Sequence, residues 1–267
     1  MIGEHRAIIT GAGQRLGRAM ALYLAQRGYD VALHYQSSAA QTRQLADQIS
    51  EMGVKALPLQ ADLRDEAACQ ALIGRAAQGL GGPLNCLINN AAVFDYDTLQ
   101  TADRASWDRH MQINLRAPFV LTQNFAAQAP KAVPDAHSEM LSTALIVNML
   151  DQRVQKLTPE FTSYTISKMG LWAFTQTAAQ ALAPDVRINA IGPGPTLRAE
   201  RQSEDHFKRQ RDSLPLRRGA HPQDITAALG YFLDAVAVTG QLICVDGGQN
   251  TAWQTPEILG FSGENEG

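Results

Sequence analysis

The fold of this chain is decided by a stretch near its N-terminus, which reads Ala7-Ile8-Ile9-Thr10-Gly11-Ala12-Gly13-Gln14-Arg15-Leu16-Gly17. The run from Ala7 to Thr10 is apolar and β-branched, which predicts a buried strand. From Leu16 to Arg27 the apolar residues recur at helical spacing, which predicts an amphipathic helix. A strand, a glycine-rich turn and a helix in direct succession are the context that a dinucleotide-binding turn requires. We therefore expect a nucleotide site at this turn.

The glycines of the turn have separate predicted roles. Gly11 would allow the tight turn, and Gly17 would let the helix pack closely against the strand. The N-terminus of the helix would face the pyrophosphate of the nucleotide, because its unpaired N–H groups attract anions. The alternative is a plain glycine-containing turn without a ligand.

The end of the second predicted strand, Asp30 to Tyr35, indicates which nucleotide is bound. An NAD-specific site usually carries Asp or Glu there to bind the ribose hydroxyls. Here the chain reads His34-Tyr35-Gln36-Ser37-Ser38, without an acid. A 2′-phosphate would be bound through the charge and hydroxyl donors of Arg15, His34, Ser37 and Ser38. NADP(H) is therefore the predicted cofactor; the alternative is a solvated loop in which Ser38 caps the next helix.

Strand and helix patterns alternate along the rest of the chain. The predicted strands cover residues 7–10, 30–35, 54–60, 86–90, 144–150, 186–191 and 241–245. The predicted helices cover residues 16–27, 39–52, 65–79, 103–128, 164–182 and 222–233. This alternation predicts an α/β fold of the Rossmann type, a doubly wound, seven-stranded parallel sheet with helices on both faces. We expect one dinucleotide-binding and catalytic domain, residues 1–253, with a polar, lid-like segment at about 195–218 and a tail at 254–267.

Composition excludes several classes of function. The chain has 267 residues, 45% of them hydrophobic, and a formal net charge of −3. This balance predicts neither a nucleic-acid partner nor a membrane surface as partner. The three cysteines are scattered and form no CxxC or Cys/His cluster, so no metal site is expected. With no signal peptide and no long apolar run, the expected location is the cytoplasm.

A candidate acid–base group follows the strand at 144–150. Tyr164 and Lys168 are four residues apart, so they share one face of a helix. A lysine ammonium beside a phenol would lower the phenol pKa, which would allow proton transfer near neutral pH. Asp151 would lie at the carboxyl end of the strand, where open α/β sheets bind ligands. The alternative is an ordinary pair of neighbours on a helix surface.

Two further residues, Phe94 and Asn114, are candidates for the site. Phe94 lies in the loop after the fourth strand and either belongs to the core or stacks on a flat ligand. Pro118 would kink the helix at 103–128 and free a carbonyl near residue 114. A buried Asn114 at such a kink would hold an ordered water, or it would be satisfied by the backbone.

These residues resemble the short-chain dehydrogenase/reductase family over about residues 6–248. The motifs of that family are a TGxxxGxG turn, an Asn-Asn-Ala segment, a helix Asn, a Ser and YxxxK. They correspond here to Thr10-Gly11 through Gly17, Asn89-Asn90-Ala91, Asn114, and Tyr164 with Lys168. The chain departs from the family at Arg15 and Ala92, where the family has Gly, and at Asp151, where it has Ser.

The departures resemble the pteridine reductases. The turn of that subgroup reads TGxxxRLG, as Thr10 to Gly17 do here, and its Asn-Met-x-Asp segment is similar to Asn148-Met149-Leu150-Asp151. The loop residue Phe94 also matches. The subgroup motif HYHRS is matched only in part by His34-Tyr35-Gln36-Ser37-Ser38, since its Arg is absent.

The resemblance implies NADPH-dependent hydride transfer to a dihydropterin or a dihydrofolate-like substrate. It implies that Phe94 stacks on the pterin, that Asp151 binds its amino edge or holds a proton, and that Tyr164 donates the proton. Lys168 would lower the Tyr164 pKa and bind the nicotinamide ribose, and Asn114 would hold a relay water. Arg15 would contact the cofactor phosphates and the substrate. The remaining implied cofactor contacts are Leu16, Tyr35, Asp62 at the adenine amino group, Leu63, Asn90, Ala91, Pro193 and Gly194.

Two other functions stay open at this point. One is a carbonyl or 3-oxoacyl reductase of the same fold, with Asp151 in place of the Ser. The other is a non-catalytic nucleotide-binding or interaction protein. The resemblance further implies a homo-oligomer, commonly a tetramer, with the helices at 103–128 and 164–182 as candidate interfaces.

Overall fold

Seven parallel strands form the central sheet of the molecule. The computed structural model describes residues 5–199 and 202–253, so the predicted tail at 254–267 lies outside the described residues. The strands are β1 Arg6–Ile9, β2 Asp30–Tyr35, β3 Ala56–Gln60, β4 Cys86–Asn89, β5 Ala144–Met149, β6 Val186–Pro193 and β7 Leu242–Val245. Their order across the sheet is β3-β2-β1-β4-β5-β6-β7, and every pairing between neighbours is parallel. The predicted doubly wound fold is confirmed.

The helices cover both faces of this sheet. They are α1 Arg15–Gln26, α2 Ala39–Ser50, α3 Glu66–Leu80, α4 Arg104–Met111, α5 Ala117–Gln128, α6 Thr162–Leu182, α7 Glu204–Asp212 and α8 Pro222–Asp234. Successive strand residues alternate between two cores. Ile9 packs with α1, α2 and α8, whereas Ile8 packs with α3, α5 and α6. Each such fully buried aliphatic side chain contributes roughly 1.5–3 kcal/mol of transfer free energy.

The strand order reverses between β1 and β4, which makes the crevice at their carboxyl ends the expected ligand site. Thr10 holds this crevice together. Its Oγ1 accepts hydrogen bonds from the N–H groups of Asn90 (2.9 Å) and Ala91 (3.0 Å). The Asn90 side chain donates back to the carbonyls of Thr10 (2.8 Å) and Gly11 (3.1 Å). The glycine turn and the exit from β4 are therefore one connected structure.

The predicted helix at 103–128 differs in its middle. A π-helical segment, Gln112–Arg116, separates α4 from α5. Pro118 has no N–H, so the carbonyl of Asn114 lacks the donor that an α-helix would place four residues later. The chain adopts the wider π-helical pattern at that point. The predicted disruption near residue 114 is thus present as a π-helical segment.

The polar segment at 195–218 contains α7, which sequence patterns did not predict. Arg211 of this helix donates to the carbonyls of Pro195 (2.9 Å), Gly219 (3.0 Å) and Ala220 (2.8 Å). One guanidinium thus ties together the two ends of the segment. Whether the segment acts as a lid remains a prediction. Within residues 5–199 and 202–253, none of the helices combines the length and the apolar character needed to cross a bilayer.

Candidate active site

The glycine turn is built so that side chains would obstruct it. Gly11 has a φ of +64°, which glycine adopts without strain. A Cβ on Gly17 would lie 2.1 Å from the carbonyl oxygen of Gly11. Gly13, to which the sequence prediction gave no role, is also crowded, because its Cβ would lie 2.4 Å from the side-chain Oγ1 of Thr42 and 2.6 Å from the side-chain Oγ of Ser38. These constraints leave the backbone exposed to a ligand at the N-terminus of α1, where anions bind well.

A cavity of about 440 Å³ opens over this turn. It brings together most of the predicted cofactor contacts. They are Gly11, Arg15, Leu16, His34, Tyr35, Ser37, Ser38, Leu63, Asn90 and Ala91. The glycine turn, with a polar rim that carries Arg15 and no acidic lining residue, fits the phosphates and ribose of a dinucleotide.

His34 lines this cavity, but its ring is buried and bonded within the protein. It is 2% exposed, its Nδ1 accepts from the Gly11 N–H (3.1 Å), and its Nε2 lies 3.2 Å from the Ala61 carbonyl oxygen. Burial lowers the pKa of His34 to about 4, against a smaller opposing effect of the Ala61 carbonyl. The ring is therefore neutral at physiological pH and supports the turn instead of supplying positive charge to a phosphate.

Asp62 is paired with a neighbouring arginine. Among the described residues, those that line this cavity include Leu63 but not Asp62. Both carboxylate oxygens of Asp62 accept from the Arg64 guanidinium, the shortest bond being 2.6 Å. The hydrogen bond with Arg64 holds the pKa of Asp62 below its usual range. The contact with an adenine amino group stays a prediction.

A second cavity, of about 620 Å³, adjoins the first at Arg15, Leu16, Asn90 and Ala92. It lies over the carboxyl ends of β5 and β6. The predicted site residues that line it are Arg15, Leu16, Asn90, Phe94, Asp151, Tyr164, Lys168, Pro193 and Gly194. The structure thus places the predicted catalytic and substrate-binding side chains, except Asn114, around one space beside the nucleotide cavity.

Asp151 and Tyr164 form a hydrogen-bonded pair in this cavity. The Tyr164 hydroxyl donates to Asp151 Oδ2 (3.0 Å), and Asp151 Oδ1 accepts from the Arg153 N–H (2.9 Å). Burial raises the pKa of Asp151, although the Arg153 N–H opposes it. Burial, and then the Asp151 charge, raise the pKa of Tyr164 well above its usual value. The pair therefore retains the phenolic proton at neutral pH.

Lys168 lies beside Tyr164 in this cavity and is buried. Its Nζ donates to the Met149 carbonyl (2.7 Å) and lies 5.8 Å from the centroid of the Tyr164 ring. Burial lowers the pKa of Lys168 to about 8, with Asp151 opposing the shift. Burial and the Asp151 carboxylate raise the Tyr164 pKa, and the predicted lowering of that pKa by Lys168 stays a prediction. Sequence spacing gives the shared helix face but not the burial.

The aromatic wall of the cavity contains Phe94 and a second residue, Phe161, which sequence reasoning missed. The Phe94 ring is 39% exposed and stacks on Phe161, with centroids 4.3 Å apart and planes inclined by 8°. It also contacts the Tyr164 ring, with centroids 4.6 Å apart and planes inclined by 68°. Arg153 lies over Phe161, 4.8 Å from the ring centroid. Nothing in the local sequence pattern marks Phe161, because its role depends on distant contacts.

Asn114 lies beneath the loop that carries Phe94. Its Oδ1 accepts from the Val93 N–H (2.9 Å), and its Nδ2 donates to the Val93 carbonyl (3.0 Å) and to Ser167 Oγ (3.1 Å). The fully buried side chain is thus satisfied by the protein, which was the alternative to a bound water. The relay water stays a prediction.

Arg15 connects the two cavities across the crevice. It begins α1 with a φ of +52°, a left-handed conformation that is unusual for a long side chain. Its guanidinium donates to the carbonyls of Leu197 and Arg198, each at 2.9 Å. It therefore lies between the glycine turn and the segment that follows β6, and its contacts with cofactor and substrate stay predictions.

Comparisons with known proteins agree with this architecture. The family model described as enoyl-(acyl carrier protein) reductase matches residues 11–250. The chain is 28% identical to the uncharacterized oxidoreductase YmfI of Bacillus subtilis, over 91% of this chain and 97% of that protein. It is 27% identical to the 3-oxoacyl-(acyl-carrier-protein) reductase FabG of Staphylococcus aureus, over 91% of this chain and 96% of that protein.

Among solved structures, the chain resembles the FolM alternative dihydrofolate reductase 1 of Brucella suis in complex with NADP. The TM-score is 0.88 at 40% identity, covering 96% of this chain and 99% of that one. A short-chain dehydrogenase of Burkholderia cenocepacia in complex with NADP gives a TM-score of 0.82 at 26% identity, covering 93% and 98%. With the matched family model, the fold and the paired Tyr164 and Lys168, the chain belongs to the short-chain dehydrogenase/reductase family of oxidoreductases.

Proposed function

We propose that this oxidoreductase uses NADPH to reduce a C=N bond of a pterin-type substrate. The substrate would be a dihydropterin, such as dihydrobiopterin or dihydromonapterin, or dihydrofolate. The observation that carries the proposal is the hydrogen bond between Tyr164 and Asp151 in a cavity walled by Phe94. The 40% identity with the Brucella suis alternative dihydrofolate reductase supports it.

The cofactor is NADP(H), as in the solved relatives. The glycine cradle and the absence of an acid at the end of β2 fit its phosphates. Arg15, Ser37 and Ser38 remain the proposed contacts for the 2′-phosphate, since His34 is neutral. When bound, NADPH supplies the hydride.

Asp151 is the residue that favours a C=N substrate over a ketone. A carboxylate accepts two N–H bonds from an aminopyrimidine-like edge, or holds a proton for a ring nitrogen. A serine hydroxyl in its place would instead polarise a ketone oxygen. The raised pKa of Asp151 suits the second of these roles, because such a carboxyl takes up a proton more readily than an exposed one.

Tyr164 is the proposed proton donor. Its high pKa keeps the hydroxyl protonated, so one proton is available for the substrate nitrogen as the hydride reaches the adjacent carbon. Asp151 accepts the hydroxyl hydrogen bond, and after transfer a proton that its carboxylate takes up from solvent can pass to the Tyr164 oxygen. One hydride and one proton together convert the C=N bond to CH–NH. Lys168 is proposed to bind the nicotinamide ribose and Asn114 to support the loop before Phe94.

A 3-oxoacyl or other carbonyl reductase is the second candidate. The similarity to FabG and the description of the matched family favour it. Its chemistry needs a hydroxyl donor at position 151, which the chain lacks. The non-catalytic alternative is disfavoured, because the family is one of oxidoreductases and both Tyr164 and Lys168 line the cavity.

The proposal is tested by following NADPH oxidation with dihydrobiopterin, dihydromonapterin and dihydrofolate, beside a 3-oxoacyl ester and a simple ketone. We expect turnover of at least one of the three reduced pterins and poor turnover of the ketones. Good turnover of a ketone with none of the pterins would reject the proposal.

Assembly into a homo-oligomer, with a tetramer as the expected form, is also proposed. The faces of α4 and α6 that were expected to form interfaces expose Trp107, Ile166 and Met169. Large apolar side chains grouped on a surface mark a site of association. Light scattering with size-exclusion chromatography measures the mass directly, and a monomer would reject the expectation.

A further inference from the structure

Asp97 joins the two sides of the substrate cavity. It lies in the loop after β4, three residues beyond Phe94, and it is 2% exposed. Its main-chain carbonyl accepts from the Phe161 N–H (2.7 Å), and its Oδ1 accepts from the Ser163 N–H (3.1 Å). Both donors stand at the start of α6, directly before Tyr164. One residue thus fastens the loop of Phe94 to the helix of Tyr164.

The start of α6 depends on this contact. The N-cap position is Phe161, and within the described residues its side chain makes no capping hydrogen bond. Asp97 supplies the missing acceptors from a distant segment, in the manner of an N-cap carboxylate. The hydroxyls of Ser163 and Ser106 also donate to Asp97 Oδ2, the latter at 2.9 Å. Although burial raises it, these bonds hold the pKa of Asp97 below its usual value.

His110 completes the cluster around Asp97. Its Nδ1 lies 2.8 Å from Ser163 Oγ and 2.9 Å from the Ser106 carbonyl oxygen, and its Nε2 accepts from the Asp95 N–H (3.2 Å). With Nε2 accepting, the ring carries its proton on Nδ1. The cluster therefore links α4, α6 and the loop through satisfied polar groups, which make a connection of this kind rigid.

Phe161 is held by this cluster in an unusual conformation. Its φ of +56° and ψ of +50° lie in the left-handed region, which a bulky residue rarely occupies. Such conformations persist where surrounding contacts determine them, and they are concentrated at functional sites. The Asp97 carbonyl fixes the Phe161 backbone, and the ring is then placed between Phe94 and Arg153.

We propose that Asp97 and Phe161 are positioning residues that fix the plane of the Phe94 ring against Tyr164. Phe161 stacks on the face of Phe94 nearly in parallel, so it sets the tilt of that ring. Asp97 sets the place of Phe161 and the start of the helix that carries Tyr164. The consequence is recognition of flat, aromatic-like substrates, and this inference rests on the proposed pterin reduction.

The first test removes the ring of Phe161 without disturbing its backbone. Glycine adopts positive φ without strain, so Phe161→Gly keeps the chain path. We expect the KM for dihydrobiopterin to rise about three- to tenfold, the effect of losing one aromatic pair. The kcat and the KM for NADPH should change less than about twofold, because neither proton nor hydride transfer is touched. The variant Phe161→Tyr keeps the stacked ring and should match the wild type.

A double-mutant cycle shows whether Phe161 acts through Phe94. In a Phe94→Ala background, Phe161→Gly should produce no further change in KM, since residues that share one interaction are not additive. The same fold-change in both backgrounds would overturn the proposal. An unchanged KM in Phe161→Gly alone would also overturn it.

The second test separates positioning from simple stability. Asp97→Ala should lower the melting temperature and raise the dihydrobiopterin KM, whereas Asp97→Asn should recover part of the KM because its amide oxygen still accepts from Ser163 N–H. Asp65→Ala is the control. Asp65 caps α3 through the Ala67 N–H (2.9 Å) and lines neither cavity, so its loss should lower stability and leave KM unchanged. An Asp97→Ala variant that behaves like Asp65→Ala would overturn the proposal.

Failure of the proposed pterin reduction can be told apart from failure of the proposed positioning role. If the wild type reduces no pterin, the proposed function is rejected. Crystal structures of the wild type and of Phe161→Gly then test whether Phe161 still positions the Phe94 ring. A Phe94 ring that has moved away from Tyr164 in the variant supports the positioning role of Phe161. A ring in the same place overturns it.

Discussion

The two halves of the ligand crevice are built in different ways. At the ends of β1 and β2, the nucleotide cavity is shaped by backbone and by missing side chains, with Gly11 at a positive φ and with Gly13 and Gly17 too close to their neighbours for a Cβ. At the ends of β4, β5 and β6, the substrate cavity is shaped by side chains that contact one another, with Asp151, Tyr164 and Phe94 at its centre.

This difference separates the half of the crevice that binds the shared cofactor from the half that selects the substrate. A glycine cradle makes few demands beyond space, so it suits any member of a family that shares one cofactor. The substrate half requires particular functional groups at particular distances, so it decides the reaction. Substitutions in the two halves should therefore fail in different ways, the first in cofactor binding and the second in turnover or substrate recognition.

The largest effect is expected from Tyr164→Phe, in the substrate half. Removing the hydroxyl removes the proton donor, and kcat should fall by about 10²–10⁴-fold, the usual contribution of general acid catalysis. The dissociation constant of NADPH, measured by fluorescence titration, should stay within about twofold of the wild type. A fall in kcat of less than about tenfold would show that Asp151 or another group supplies the proton.

Gly17→Ala should affect the nucleotide half alone. The added Cβ would lie 2.1 Å from the Gly11 carbonyl oxygen, so the backbone must move. Overpacking of this kind costs about 1–3 kcal/mol, equivalent to about 5- to 150-fold weaker NADPH binding if the strain falls on the bound state. Calorimetric titration measures it.

Gly74→Ala is the matched control for that substitution. Gly74 lies within α3, and among the described residues no atom outside its own helix surroundings comes within 4 Å of the added Cβ. Alanine in a helix interior is more favourable than glycine by about 0.5–1 kcal/mol. The melting temperature should rise slightly and NADPH binding should not change. Equal NADPH affinity in Gly17→Ala and Gly74→Ala would contradict the claim that NADPH binding requires a residue without a Cβ at position 17.

A smaller effect is expected from pH, through Lys168. With a pKa of about 8, Lys168 is charged at neutral pH and loses this charge as the pH rises further. At one pH unit above the pKa about one lysine in ten is charged, so a lysine contact with the ribose should weaken by up to about tenfold between pH 7 and 9. The KM for NADPH should rise over that window, and Lys168→Met should lack the inflection. A flat profile in the wild type would remove Lys168 from cofactor binding.

The free energy of unfolding should respond to the same titration of Lys168, but it should rise with pH where NADPH binding weakens. The Lys168 pKa is lowered in the folded state, from 10.5 to about 8, so the unfolded chain binds more protons between these values. The contribution of Lys168 to the free energy of unfolding therefore rises with pH across that window. Comparing denaturant midpoints of the wild type and Lys168→Met at pH 8 and 10 isolates this contribution, and equal changes in both would contradict it.

The smallest effect is expected from Phe94→Ala. The loss of one stacked ring should raise the KM for dihydrobiopterin about three- to tenfold and leave NADPH binding unchanged. Phe94→Tyr should retain the wild-type KM, because it keeps the flat surface. A ketone substrate should be insensitive to either change, and a ketone KM that rises equally with Phe94→Ala would show that the ring is a general part of the wall.

Prediction from sequence succeeded where the physical requirement is local. The turn from Gly11 to Gly17 and the apolar strands follow from steric and hydrophobic patterns within a few residues. The same patterns gave the order of strands and helices around the sheet. They also placed Asp151, Tyr164 and Lys168 at one edge, because the carboxyl ends of parallel strands share that edge.

Prediction from sequence failed where burial, or contacts between residues far apart in the chain, determine what a side chain does. The neutral state of His34 and the raised pKa of Tyr164 both follow from burial, which the spacing of residues along the chain does not show. The contact between Asp97 and Ser163 joins residues 66 positions apart, which no local pattern encodes. The π-helical segment near Asn114 follows from Pro118, but only its presence and not its form was predictable.

The central claim is that Asp151 determines the class of substrate, and the variant Asp151→Ser tests it most directly. The measurement is kcat/KM of wild type and variant for dihydrobiopterin and for a 3-oxoacyl ester, at saturating NADPH. We predict that the variant loses about a hundredfold or more on dihydrobiopterin, the scale of a lost acid–base group, and gains on the ester. A variant that retains pterin reduction, or a wild type that already prefers the ester, would contradict the claim.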